Sequence, residues 1–173
     1  VAVPVVALEP AVKPAAALTR SGVVGVLATT RTLESERYRR LVRTHAESVR
    51  VVSQPCPGLA EAIETDGPRS ARVDALLDAY VQPLAAAGAD VVVLGCTHYP
   101  WVRAGIAARL PAGVAIVDTG EAVARQVERR LQGESQLGGH GQLQLATSGN
   151  PLQVRETVAR LWGAPLAVEA WSI

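Results

Sequence analysis

Short apolar runs alternate with longer amphipathic stretches along the whole chain. The apolar runs at 3–8, 23–28, 49–53, 89–94 and 114–117 read as strands, with weaker ones at 142–147 and 166–168. Apolar positions recurring at helical spacing place helices at about 13–20, 32–45, 58–64, 70–87, 100–110, 119–131 and 151–162. Thr32 is read as the N-cap of the second of these, with Glu34 and Glu36 in its first turn, and Asp118 or Thr119 as the cap of the sixth. Gly88 stops the fourth, and Pro100 and Pro151 sit at helix starts. The run at 89–94 ends in Val-Val-Val-Leu with no polar alternation, which fits a strand covered on both faces. Residues 132–141, rich in Gly, Ser and Gln, read as a loop or linker. No internal repeat is evident. Strands alternating with helices of this length imply βαβ units, hence an α/β fold with a parallel sheet flanked by helices.

Composition narrows the class of partner. The 173 residues are 49% hydrophobic and 19% charged, with a net charge of +1. A globular core is therefore expected. The arginines are dispersed along helices, so nucleic-acid binding is not expected. No apolar run approaches a membrane span, and none is expected to enter a bilayer. The opening Val1-Ala2-Val3-Pro4-Val5-Val6 lacks the features of a signal peptide. Opening inside an apolar run, without Met, the chain is read as starting in the middle of a longer protein. Two separated cysteines make no disulfide framework and point to a reducing, cytoplasmic setting.

In a parallel sheet the ligand sits beyond the carboxyl ends of the strands. Glu9, Thr29, Cys56 and Cys96 all fall at such ends. Cys96 lies in Leu94-Gly95-Cys96-Thr97-His98-Tyr99-Pro100. Gly95 permits a close approach, and the helix start near Pro100 is expected to favour a nearby anion and lower a thiol pKa. Thr97 offers a hydroxyl to a carboxylate or an amine. His98 can relay the thiol proton or orient the sulfur. Taken alone, Cys96 reads equally well as a small core residue, but Thr97, His98 and the helix start weigh against that. A zinc site would need about four ligands in matching spacing, which the histidines at 45, 98 and 140 do not supply. Cys56, between Pro55 and Pro57, reads as structural.

The segment LGCTHYP resembles glutamate racemase, a cofactor-independent enzyme that interconverts L- and D-glutamate for cell-wall synthesis. The likeness extends over ALEPAVKPA at 7–15, VVGVLATTRTLESERYRRLV at 23–42, SQPCPGLAEAIE at 53–64, GADVVVLGCTHYP at 88–100, VDTGEAVARQV at 117–127 and TSGNP at 147–151. The resemblance implies one lobe of a two-lobe Asp/Glu racemase-like fold, in which each lobe offers a cysteine to opposite faces of the substrate α-carbon. Cys96 corresponds to the second-lobe cysteine that acts on L-glutamate, His98 to its assisting histidine, and Glu64 to a glutamate that supports the histidine. Thr97 and His98 correspond to a substrate-contacting pair. No cofactor and no metal is implied.

Two departures stand out. Where the family reads Gly-Thr, this chain has Arg31-Thr32, so the loop after Thr30 is expected to differ. The first-lobe motifs Asp-Ser-Gly and Cys-Asn-Thr-Ala are absent from these 173 residues. The expected organisation is therefore a second lobe at 1–118 and a C-terminal segment at 119–173 that packs on a missing first lobe of the same enzyme. Apolar side chains of that segment, Leu131, Leu143, Leu145, Leu161 and Trp162, are expected to be under-buried. The chain alone is expected to be inactive or nearly so, and the implied ligand is L- or D-glutamate. A homodimer is left open, as are an aspartate racemase-like enzyme and a non-catalytic module that keeps a carboxylate pocket.

Overall fold

The computed structural model describes residues 5–133 and 142–171. Four strands form one parallel sheet in the order β2-β1-β3-β4. They are β1 (Val23–Ala28), β2 (Arg50–Pro55), β3 (Val91–Leu94) and β4 (Ala115–Val117). Register pairs Val24 with Val51 on one side and with Val91 on the other, and Val92 with Ile116. A second, two-stranded parallel sheet joins β5 (Leu145–Thr147) to β6 (Val168–Ala170).

The two-residue period of a strand sends alternate side chains to opposite faces, and both faces of the main sheet are covered. Leu27, Val92 and Leu94 point to one side. There they meet Ile63 of α4 (Leu59–Thr65), Val73, Leu77, Val81 and Leu84 of α5 (Ala71–Ala86), and Ile106 of α6 (Arg103–Ala107). Val24, Val26, Val91 and Val93 point to the other. They meet Val12 and Ala15 of α1 (Val12–Leu18) and Tyr38 of α3 (Glu36–His45). All four residues of β3 are buried. This is why its sequence shows no polar alternation. Gly25 on β1 is needed for that packing, since a Cβ there would lie 2.8 Å from Leu84 Cδ1.

Several boundaries differ from the sequence expectation. Of the strand expected over 3–8, residues 5–8 form no strand, and residues 3 and 4 lie outside the described residues. The helix expected over 32–45 is two helices. The first, α2 (Thr30–Glu34), is capped by Thr29, whose hydroxyl accepts from Thr32 N. The second, α3, is capped by Ser35, which accepts from Tyr38 N. Thr32 is therefore inside a helix and is not a cap. The expected helix at 100–110 is a 3₁₀ turn, Tyr99–Val102, followed by the five-residue α6. The loop expected to differ after Thr30 is the first turn of α2. Of the expected loop at 132–141, residues 134–141 lie outside the described residues.

At the amino edge of the sheet, Asp90 ties β3 to the turn before β1. Its carboxylate accepts from the Thr19 hydroxyl and from the amides of Arg20 at 2.7 Å and Ser21 at 2.9 Å. These bonds, led by that of Thr19, hold the carboxyl well below its ordinary range.

The helix α7 (Gly120–Gly133) follows β4, with the Asp118 carboxylate accepting from Gly120 N at 3.0 Å. The last helix, α8 (Pro151–Trp162), is capped by Asn150 and has no fully buried residue. Leu161 packs against the first core cluster, whereas Leu143, Leu152, Trp162 and Trp171 are each 65–66% exposed. Leu131 and Leu145 are half-buried. No helix among the described residues is long and apolar enough to cross a membrane.

The packing of α5 on β1 and β3 yields a direct test. Leu84 is fully buried. Leu84→Ala should lower the free energy of unfolding by about 2–5 kcal/mol, the cost of a large-to-small core change, read from urea denaturation followed by circular dichroism. A loss below about 1 kcal/mol, the level of a tolerated volume-conserving swap, would show that the sheet does not depend on this contact.

Candidate active site

Cys96 sits two residues beyond the last residue of β3, at the carboxyl edge of the sheet. Gly95 between them is required by the protein backbone itself. Its amide donates to Leu27 O at 2.8 Å, and a Cβ there would lie 3.0 Å from both that oxygen and Ala28 Cβ. The glycine thus seats the end of β3 against β1 and fixes where the next residue emerges.

Three of the candidate residues meet in a line. Cys96 Sγ lies 3.6 Å from His98 Nδ1, and His98 Nε2 lies 2.5 Å from Glu64 Oε1. Glu64 comes from the last turn of α4, 32 positions upstream of Cys96, and α4 is held against the sheet by Leu59, Ala62 and Ile63. The short connection Cys96-Thr97-His98 is closed by the Tyr99 amide, which donates to Cys96 O at 3.2 Å. This turn brings the imidazole back onto the sulfur. The neutral imidazole with its proton on Nε2 satisfies both contacts: Nε2–H donates to the carboxylate and Nδ1 faces the thiol. Such a chain can take a proton from sulfur onto Nδ1 while the carboxylate balances the imidazolium.

The thiol pKa moves against the sequence expectation. Partial burial pushes Cys96 up, and the negative Glu64 adds to this; the His98 amide and the Thr97 hydroxyl act in the opposite direction. A four-residue 3₁₀ turn and a five-residue helix lack the aligned peptides of a long helix, so no strong dipole offsets the burial. Thr97 itself is exposed. His98 and Glu64 keep 26% and 49% of their side-chain surface, so the relay opens to one side.

Cys56 emerges at the same edge, from the end of β2, yet it is 2% exposed and belongs to the core. Burial pushes its thiol up to about 12. The hydroxyl of Tyr99 is buried in the same cluster without a partner in hydrogen-bonding geometry among the described residues. Burial, then the neighbouring Cys56 and Cys96, push that phenol upward. Cys56 thus lies in the core of this fold, away from solvent.

Glu9 and Thr29 line a separate cleft of about 310 Å³ with Arg31, Thr32, Arg37 and Tyr38. Glu9 pairs with Arg37 at 2.6 Å, and Thr29 serves as the cap of α2. Neither touches the relay. Among the described residues no group of three His, Cys, Asp or Glu side chains is arranged to hold a metal.

Two residues beside the relay gave no signal in the sequence. The Trp101 indole lies 6.3 Å from the His98 ring and donates to Leu161 O at 2.9 Å. The Arg160 guanidinium donates to the carbonyls of Glu64 and Thr65. Both contacts span more than 50 positions, and no local pattern reports such pairs.

Comparison with known proteins identifies the family. The Asp/Glu/Hydantoin racemase family matches residues 1–127. Glutamate racemase of Pseudomonas putida strain F1 is 50% identical over 173 residues, covering 98% of this chain and 65% of that protein. Its counterpart from Pseudomonas aeruginosa strain PAO1 is 47% identical, covering 96% and 63%. Among solved structures, Escherichia coli glutamate racemase, in complex with L-glutamate and the activator UDP-MurNAc-ala, superposes with a TM-score of 0.80. It is 26% identical, over 95% of this chain and 64% of that one. Glutamate racemase of Bacillus anthracis gives 0.78 at 26% identity, over 94% and 62%. The chain spans just under two thirds of the length of these relatives. With the family matched across most of its length and the parallel α/β lobe shared with solved members, the chain belongs to the Asp/Glu/hydantoin racemases.

Proposed function

We propose that the protein carrying this chain is a glutamate racemase, an isomerase that interconverts L- and D-glutamate by two-thiol proton transfer without a cofactor. Its product, D-glutamate, would serve cell-wall peptidoglycan synthesis in the cytoplasm. The observation that carries this reading is the line Cys96–His98–Glu64 at the carboxyl edge of the central strand. The names of the relatives support glutamate over aspartate as the substrate.

In this reading Cys96 serves the L-isomer. Its proton passes to His98 Nδ1, and the resulting thiolate removes the α-proton of L-glutamate. Glu64 stabilises the imidazolium. A second thiol, outside this chain, then returns a proton to the opposite face of the carbanion. In the reverse direction the Cys96 thiol is the donor, which suits a group whose neutral form is favoured by burial. Thr97 and the His98 region contact the substrate carboxylate or amine.

The second lobe then spans 1–118, and residues 119–173 reach toward the first lobe. The exposed Leu143, Leu152, Trp162 and Trp171 support such a contact. One thiol on one face can exchange a proton but cannot invert the centre efficiently. Without the opposite wall, water also enters and weakens each electrostatic contact. The 173-residue chain alone is thus inactive or nearly so.

Three outcomes are expected of the full-length protein. Cys96→Ala abolishes racemisation, measured by circular dichroism, with the fold intact. Turnover retained within about tenfold of the unsubstituted protein, ~1.4 kcal/mol in barrier, would overturn the assignment. His98→Ala slows α-proton loss from L-glutamate more than from D-glutamate, read by deuterium wash-in before equilibrium. Equal slowing from both isomers would remove the one-sided role. Finally, an alkylating reagent near neutral pH modifies Cys96 and spares Cys56, because reaction requires thiolate and access. The Cys96 rate rises with pH and continues to rise beyond the range of an unburied thiol, since burial raises its pKa. Mass spectrometry that finds Cys56 modified first would contradict the burial described above.

A further inference from the structure

We infer that Arg160, on the last turn of α8, is a positioning residue for the Cys96–His98–Glu64 relay. The inference rests on the function proposed above. The Arg160 guanidinium donates to the backbone carbonyls of Glu64 and Thr65, the latter at 2.6 Å. Those carbonyls belong to the final turn of α4, where helix carbonyls have no partner within the helix. The cation therefore closes the end of α4, and it complements the negative end of the peptide dipoles there. It does so on the residue whose side chain holds His98 Nε2.

Two further contacts fit the same assignment. Gly67 has φ +91°, and a Cβ there would lie 3.2 Å from Arg160 Cδ. The bare glycine leaves the path along which the arginine stem reaches α4. On the other flank, the Trp101 indole donates to Leu161 O and sets the register of the residue next to Arg160, while its ring lies beside His98. Helix α8 is thus fastened at both ends of the imidazole–carboxylate pair. The contact joins the C-terminal part of the chain to the orientation of Glu64. Closing the last turn of α4 holds the backbone from which the Glu64 side chain departs toward His98.

The test uses the full-length protein and a double-mutant cycle on deuterium wash-in from each isomer. Arg160→Ala is expected to slow exchange from L-glutamate about tenfold, ~1.4 kcal/mol in barrier, with a smaller effect from D-glutamate. In a Glu64→Ala background, Arg160→Ala is expected to add nothing, because the side chain it orients is gone. Arg160→Lys, which keeps the charge and a donor, is expected to recover part of the loss. Thermal melting identifies variants that fail to fold; if Arg160→Ala is one, Arg160→Gln takes its place in the cycle. Slowing that is equal from both isomers, or that persists undiminished in the Glu64→Ala background, overturns the inference while leaving the racemase reading intact. An unsubstituted protein that exchanges no α-proton overturns that reading and this inference with it.

Discussion

The rest of the structure depends on the burial of β3 from both sides. Val91 and Val93 enter one core and Val92 and Leu94 the other. Two-sided burial removes every degree of freedom a strand has except its register, and the register is fixed by pairing with β1 and β4. Gly95 extends that pairing one step past the strand by bonding to Leu27 O. Cys96 then leaves the sheet from a point that cannot drift. In the proposed reaction this placement matters, because small errors in approach cost large factors in rate.

The same burial creates a chemical difficulty, which the neighbours of Cys96 answer. A half-buried sulfur holds its proton more tightly than a free one. The fold does not counter this with a long helix dipole. It places an imidazole two residues away and a carboxylate behind that ring. The thiol is neutral at rest and the means of ionising it lie within contact distance. Cys56, at the same sheet edge, has burial without an imidazole beside it, and burial pushes its thiol up to about 12.

Much of this was legible in the chain. The bounds of β1 and the two-faced β3 followed from their apolar runs, and the helix expected over 151–162 forms with those bounds. Cys96 and His98 were legible together because two positions suffice to turn a side chain back on its neighbour. Other features were hidden by competition. Ser35 interrupts a continuous helical pattern because its hydroxyl captures the Tyr38 amide. The apolar residues 5–8 lack a strand partner among the described residues. Pro100 produces a 3₁₀ turn where a longer helix was expected. Glu64 was reachable only through family resemblance, since nothing in its local sequence sets it apart from Glu61. Arg160 and Trp101 had no local signal, because their partners are backbone atoms far away along the chain.

Asp90 marks the opposite end of β3 from Cys96, and its hydrogen bonds bear on how the protein meets acid. A carboxylate whose folded pKa is depressed contributes stability above its unfolded pKa and loses it only as pH falls through the lower, folded value. The bonds from Thr19, Arg20 and Ser21 depress that of Asp90. Ordinary surface carboxylates are neutralised first on acidification, and the turn before β1 is still tied to β3 at that stage. Because Asp90 is partly open to solvent, salt screening limits the size of this effect. Its position matters more than its size: the central strand pair is tied at its amino end by a carboxylate that keeps its charge to lower pH than an ordinary one.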